Sequence, residues 1–323
     1  HFVIDPIVGP VTAGQQVSVT ISAADAAGNT IGDFDGNAIL SANTGPASIS
    51  PEAIVFTNGV WTGLMTFRGA GNAVQFTCSD YATPPHQGTS NSFVVAPAAY
   101  AGMQVLYPGQ EPRGGTATGF EGNPDVQAAG TAFDLRVRAV DQYFNRVPTI
   151  GNRFGLTSSD ENLAWPADPV LVGGEAIIPV THFRAGWQTI TATDLDDPGS
   201  EPGTSSQVEV TAGPYTRILI LAPGENLSPG AEDGRSGEAT DQSINYAFTV
   251  TVYATDHWFN AVGAATDVIS LSSTDPMAQL PSAAAMTDGR VDFAVRLSTG
   301  GYQQITAHNV TQPAMETSQA TVS

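Results

Sequence analysis

The sequence predicts an all-β protein built from three tandem antiparallel two-sheet sandwiches, and three observations predict it. The stretch Ile21 to Asn29 (ISAADAAGN) returns as Val137 to Asn145 (VRAVDQYFN) and as Val252 to Asn260 (VYATDHWFN). Asp25 and Asp141 lie 116 residues apart and Asp141 and Asp256 lie 115 apart, so one unit is written three times along 323 residues. Apolar and polar residues alternate with period two in most apolar stretches, as half-buried strands require, and no helical period competes. The composition, with 34 Gly, 22 Pro and 41% hydrophobic but only 13% charged residues, suits short strands between frequent turns and is too apolar for a disordered chain.

In the first unit, residues 1–98, strands are expected at Phe2–Ile7, Gln16–Ala24, Ala38–Ala42, Trp61–Phe67, Ala73–Cys78 and Ser92–Val95, followed by a hinge at Ala96-Pro97-Ala98-Ala99. The second, 99–213, places them at Met103–Tyr107, Phe133–Val140, Phe154–Thr157, Ala176–Thr181, Gln188–Ala192 and Gln207–Val210. The third, 214–323, places them at Ile218–Leu221, Ala247–Ala254, Val268–Leu271, Val291–Val295, Gln303–Ala307 and Gln319–Val322. The period of 115 also relates Gly59, Gly174 and Gly289, and Pro51, Pro166 and Pro281. Strand ends FTCSD, ITATD and ITAHN put Asp80, Asp194 and Asn309 at matching positions. Short Pro-bearing linkers, APAAY to Tyr100 and TAGPY to Tyr215, limit how far neighbours swing.

The second and third units carry an insertion that the first lacks, rich in Gly, Pro and acidic residues, at 110–130 and 225–243. Structureless loops of that length are uncommon in compact domains and are often functional. Two roles are open for them: contact with a ligand, or packing across the neighbouring unit.

About seven short strands in roughly 110 residues, with a turn signal every 8–12, make an antiparallel two-sheet sandwich. Here the chain resembles the bacterial immunoglobulin-like (Big/invasin-like) repeats of surface and secreted proteins, in which a strand ending A-x-D leads to an F-N or G-N turn and later to a T-A-T-D strand end. The residues that carry the resemblance are Ala139, Asp141, Phe144, Asn145 and Thr191 to Asp194, and the third unit departs from it at Asn309. The resemblance implies three tandem immunoglobulin-like domains in a rod-like extracellular or cell-surface protein; it implies no ligand.

Net charge is −20, distributed as −5 over 1–98, −8 over 99–213 and −7 over 214–323, so no unit offers nucleic acid or an anionic membrane a basic face. All 11 basic residues are Arg, which rules out Lys–Asn isopeptide cross-links within these residues. The single cysteine, Cys78, falls in an alternating strand and is expected in the core. No apolar run is long enough to span a bilayer as a helix, and the longest candidate, Phe93 to Tyr107, is broken by Pro97. The chain begins at His1 without a signal peptide and reads as a processed protein or a piece of a longer one.

The recurring Asp-x-x-x-Asn pairs, Asp25 with Asn29, Asp141 with Asn145 and Asp256 with Asn260, suit either a turn, because Asx side chains bond nearby backbone N–H groups, or a hard cation such as Ca²⁺. Repetition at one scaffold position favours the turn. Two denser acidic stretches, Asp33 to Asn37 and Asp194 to Asp197, fit no EF-hand spacing and read first as solvent-exposed turns; of the two, Asp194, Asp196 and Asp197 make the better Ca²⁺ candidate. Tyr143-Phe144 and Trp258-Phe259 follow the motif and are expected to cap the junction between units, with a sugar- or partner-stacking platform as the alternative.

His1, His86, His182, His257 and His308 show no metal-ligand spacing, and there is no nucleophile elbow, P-loop or dinucleotide fingerprint. The expected protein is therefore not an enzyme but a structural spacer, whose partners are neighbouring domains or copies of itself. Two alternatives are an adhesive module that holds glycan or protein through the insertions, and a filament subunit that pairs through His1–Ile7 and Thr317–Ser323.

Overall fold

The computed structural model describes residues 1–45 and 47–323, and among them the regular structure is all β. Buried apolar side chains form three large clusters, one drawn from Phe2 to Val95, one from Met103 to Val210 and one from Ile218 to Val322. Each is enclosed by sheets contributed from its own stretch of chain. Around the first, Phe2–Ile4, Gln16–Ala23, Val60–Phe67 and Ile49–Ser50 make one antiparallel sheet, and Gln87–Thr89, Phe76–Ser79, Asn37–Ala42 and Ala53–Val55 make another. Ile21, Met65 and Phe67 from the one meet Ala38, Phe76 and Cys78 from the other, all at 1% exposure or less. The alternation that predicted strands is thus the alternation of inward and outward side chains.

The second and third stretches repeat the plan. Tyr100–Leu106, Ala132–Asp141 and Glu175–Thr181 form a sheet over the second cluster, and Arg217–Leu221, Ala247–Thr255 and Arg290–Arg296 form its counterpart over the third. Opposite them lie Phe154–Ser158, Ile190–Asp194 and Gly203–Thr204, and then Ala284–Ala285, Val268–Ser273, Gln303–Asn309 and Ser318–Val322. The glycines at period 115 have one cause. Asn58-Gly59, Gly173-Gly174 and Asp288-Gly289 sit at left-handed φ, from 50° to 78°, in two-residue hairpin turns closed by Thr57 with Val60, Val172 with Glu175 and Thr287 with Arg290. A side chain on any of the three second-position glycines would strike the carbonyl of Ile31, Val147 or Val262.

Several predicted strands are divided. Ala73–Cys78 is two strands: Gly71–Val74 pairs with Phe93–Ala96, and Phe76–Ser79 crosses to the facing sheet and pairs with Asn37–Ala42. Gln188–Ala192 divides likewise into Gly186–Gln188 and Ile190–Asp194. The switch preserves period two, which is why alternation alone does not reveal it. Phe2–Ile7 ends at Ile4, and a further short strand, Val11–Thr12, runs parallel to Phe93–Ala96.

The insertions are not structureless. Each carries a small antiparallel ladder, Glu111–Pro112 with Phe120–Glu121 and Asn226–Leu227 with Arg235–Ser236.

Candidate functional site at the joints between repeats

The Asp-x-x-x-Asn motif lies at the joints. In the second repeat, Asp141 Oδ1 accepts from the Tyr143 and Asn145 amides at 2.8 and 2.9 Å, and its Oδ2 accepts from Asn145 Nδ2 at 2.9 Å, which closes the turn locally. The same groups then reach out of the repeat. Asn145 Nδ2 donates to the Arg68 carbonyl at 2.7 Å, Asn145 Oδ1 accepts from the Ala70 amide at 2.8 Å, and Asp141 Oδ2 accepts from the Ala98 amide of the linker at 2.7 Å.

The second joint repeats the set. Asn260 Nδ2 donates to the Phe183 carbonyl at 2.9 Å, Asn260 Oδ1 accepts from the Ala185 amide at 2.7 Å, and Asp256 Oδ2 accepts from the Gly213 amide at 2.7 Å. One Asp and one Asn therefore fasten three pieces of chain: their own turn, the linker and a turn of the preceding repeat. Asp141, Asn145, Asp256 and Asn260 are 1–3% exposed. Asp25 and Asn29 keep the internal bonds, at 2.8, 2.9 and 3.0 Å, but stand exposed and bond to nothing outside their loop among the described residues. The Asn29 side chain, itself bonded to the carboxylate, holds the Asp25 carboxyl below its usual range.

A buried carboxylate holds the turn that receives Asn260 and the matching turn of the third repeat. Asp160, 1% exposed, accepts from the Phe183 and Arg184 amides at 2.7 and 3.0 Å, and Asp275, 3% exposed, accepts from the Ser298 and Thr299 amides at 2.7 and 3.0 Å. Burial would raise the Asp160 carboxyl, but bonds from His182 and from the Arg184, Phe183 and Asn162 amides outweigh it and hold it below the usual range. His182 completes that network, with Nε2 3.0 Å from the Tyr107 hydroxyl.

Aromatic side chains fill the rest of each joint. Tyr143 packs on the first cluster over Gly14, and Trp258 lies on Gly130 and against the Phe183 ring, 4.1 Å between centroids. Gly14 and Gly130 hold φ of 82° and 78° and leave no room there for a side chain. Phe144 and Phe259 turn instead under their own insertions, against Gly119 and Gly234, and the Arg217 guanidinium covers the Phe259 ring at 4.8 Å. The insertions also reach across: Gly115 donates to the Tyr143 carbonyl at 2.7 Å and abuts Gly69, while Gly230 donates to the Trp258 carbonyl at 2.7 Å and sits beside Asn162. The tips of both insertions thus lie at the joints.

The carboxylates of the Ca²⁺ candidate hold protein donors. Asp194 accepts from the Tyr100 hydroxyl at 2.7 Å, from Asn152 Nδ2 at 2.9 Å and from the Asp196 and Asp197 amides at 2.9 Å. Asp196 is drawn away to the Arg153 guanidinium at 2.6 Å, and Asp197 caps the Gly199 amide. No group of three or more His, Cys, Asp or Glu side chains is gathered for a metal ion among the described residues. In the other acidic stretch, Asp35 caps the Asn58 amide at 2.7 Å.

One feature escaped the sequence reading. A cleft of about 530 Å³ beside the first joint is lined by three guanidiniums, Arg113, Arg138 and Arg146. Arg113 pairs with Glu121 at 3.0 Å, and Arg138, 7% exposed, faces Glu175 at 3.3 Å with its Nε making no hydrogen bond. Arg146 is exposed and has no carboxylate partner among the described residues. The third repeat has Ser228, Tyr253 and Ala261 at the corresponding places. The signal that could have found the cleft was a local cluster of one charge: Arg113, Arg136, Arg138 and Arg146 lie within one stretch of an otherwise acidic chain.

No family model and no curated protein matches the chain. Among solved structures it is similar to FdeC, an Escherichia coli adhesin, at 15% identity over 100% of this chain and 96% of that one, with a TM-score of 0.32. It is also similar to invasin, a bacterial integrin-binding protein, at 14% identity over 100% and 60% of the two chains, TM-score 0.30. The D0-D1 domain of intimin matches at 12% identity over 65% and 97%, TM-score 0.26. At these scores the likenesses carry no argument about function, which has to rest on the joints themselves.

Proposed function

We propose that this chain is a non-catalytic spacer of an extracellular or cell-surface bacterial protein, three sandwiches laid end to end that hold apart whatever lies beyond them. The observation that carries the reading is the buried Asp-x-x-x-Asn frame, which ties turn, linker and preceding repeat together with the same bonds at both joints. A flexible tether needs no such device. Pro97 and Pro214 stiffen the connections, the aromatic caps and insertion tips brace them, and the net charge of −20 discourages folding back. Small-angle scattering tests it: the wild-type chain should scatter as an elongated particle of fixed length, and the Asn145→Ala/Asn260→Ala variant should show a broader distribution of lengths. A wild-type profile already that broad refutes the proposal.

One observation favours a second reading, an adhesive role. The Arg-lined cleft is specific to the first joint, so the scaffold does not require it, and guanidiniums are suited to carboxylates. Binding of uronate- or sialate-bearing glycans on an array, lost in Arg146→Ala with the fold intact, would support it. An array without acidic-glycan binding would remove it.

A further inference from the structure

We propose that the Arg-lined cleft is a latch worked by a carboxylate: an acidic sugar bound there holds the first joint closed and leaves the second joint as it was. The inference rests on the adhesive reading of the cleft and adds a mechanical consequence to it. The cleft has a wall in each repeat. Ala70, Gly71 and Asn72 stand on one side and Arg113, Arg138 and Arg146 on the other, with Ala96-Pro97 of the linker also in the lining. Asn145 lines it too, and its Oδ1 takes the Ala70 amide at 2.8 Å, so the fastener forms part of the site. Arg113 reaches over from the insertion to the Gly45 backbone of the first repeat, where a side chain would meet its Nε and Nη2 at 2.9 Å. Opening the joint therefore takes the cleft apart, and a ligand that fills it binds the closed joint alone.

Charge and bonding select the ligand. Two carboxylates, Glu121 and Glu175, stand against the three guanidiniums, which leaves one positive charge uncompensated. Arg138, 7% exposed, donates to Gln104 Oε1 at 2.7 Å, yet its Nε makes no hydrogen bond. A guanidinium presents a planar fork of donors that matches a carboxylate, and one carboxylate neutralises the charge. Asn72, on the facing wall, offers its amide to the hydroxyls of a sugar. The second joint is the built-in comparison. It keeps the fastener, with Asn260 on Phe183 and Ala185, but Ser228, Tyr253 and Ala261 replace the three Arg, and Trp187 and Glu209 replace Asn72 and Val94. The cations are gone from those places and a carboxylate is added, so an acidic sugar has no purchase there. A ligand that binds only the closed joint raises its closed-to-open ratio about tenfold when the free concentration is ten times the dissociation constant.

Amide hydrogen exchange of the whole chain reads that ratio directly. The Ala70 and Ala98 amides are held across the first joint by Asn145 Oδ1 and Asp141 Oδ2, and the Ala185 and Gly213 amides across the second by Asn260 Oδ1 and Asp256 Oδ2. The probes are glucuronate- and sialate-bearing oligosaccharides, raised from about 10 μM to about 10 mM to bracket a millimolar dissociation constant, with neutral oligosaccharides of the same length as controls. An acidic sugar should slow exchange at Ala70 and Ala98 in step with its occupancy, by about tenfold at ten times its dissociation constant, and leave Ala185 and Gly213 unchanged. Arg146→Ala, at an exposed position, should lose the slowing while keeping its melting temperature. Calorimetric titration run in parallel separates the two readings. Binding without slowing at the first joint, or equal slowing at both joints, would overturn the latch and leave the adhesive reading standing. No binding of either acidic sugar, or slowing that survives Arg146→Ala, would overturn both.

Discussion

Removing the Asn145 carboxamide is the most direct perturbation of a joint. Asn145→Ala deletes the bond to the Arg68 carbonyl, the bond from the Ala70 amide and the bond to Asp141 Oδ2, at 2.7, 2.8 and 2.9 Å. A protein hydrogen bond contributes about 1 kcal/mol net, and a buried partner left unsatisfied costs about 1–3 kcal/mol. Asn145 is 3% exposed, but a joint that opens lets water reach Arg68 and Ala70, so the expected loss is about 2–4 kcal/mol, concentrated at the joint. Asn29→Ala is the internal control, because it removes the same local bond, at 3.0 Å, with nothing across a joint. Urea unfolding followed by calorimetry, together with limited proteolysis of the 97–99 linker, reads the difference. Asn145→Ala should split a coupled transition and expose the linker, and Asn29→Ala should do neither. Equal effects of the two substitutions would refute the claim that the motif acts as an inter-repeat fastener.

Four further outcomes follow from the same geometry. Burial would raise the Asp275 carboxyl, but the Ser298, Met277 and Thr299 groups bonded to it hold it at about 2, below its usual 3.8. A depressed folded-state pKa contributes stability that is complete above the unfolded value and is lost as pH falls toward the folded one. Asp275→Asn should therefore melt below the wild type at pH 7, with the gap closing between about pH 4 and pH 2. Gly130→Ala should destabilise by more than the ~1–2 kcal/mol that a left-handed backbone costs a non-glycine residue, because the new methyl displaces Trp258; the tryptophan fluorescence would register it. Burial, followed by the Asp80 charge, pushes the Cys78 thiol up to about 12, and with the side chain fully enclosed a thiol reagent should label it only on unfolding. Millimolar Ca²⁺ should leave the melting temperature unchanged, since Asp194 and Asp196 already hold protein donors; a clear upward shift would restore the cation reading.

Much of this was legible in the chain itself. Alternation at period two and left-handed turn glycines are local signals, and the 115-residue register of Gly59, Gly174 and Gly289 multiplied each by three. The same register misled where the chain leaves one sheet for the other. Gln75 and Thr189 sit at crossings that keep the inward and outward rhythm, so only the pairing partners distinguish one strand from two.

The sequence by itself determined the all-β class, the repeat, the turn at Asp-x-x-x-Asn and the lack of any recognisable catalytic motif, because each follows from residue type and local spacing. Only the tertiary structure decided what Asn145 and Asn260 reach for. Their partners, Arg68 with Ala70 and Phe183 with Ala185, are 75 to 77 residues earlier and are backbone groups, which any residue can supply. A main-chain carbonyl leaves no mark in the sequence. The fastener therefore shows only its side-chain half there, and its identical exposed copy at Asp25 and Asn29 could not be told from the buried ones until burial was known.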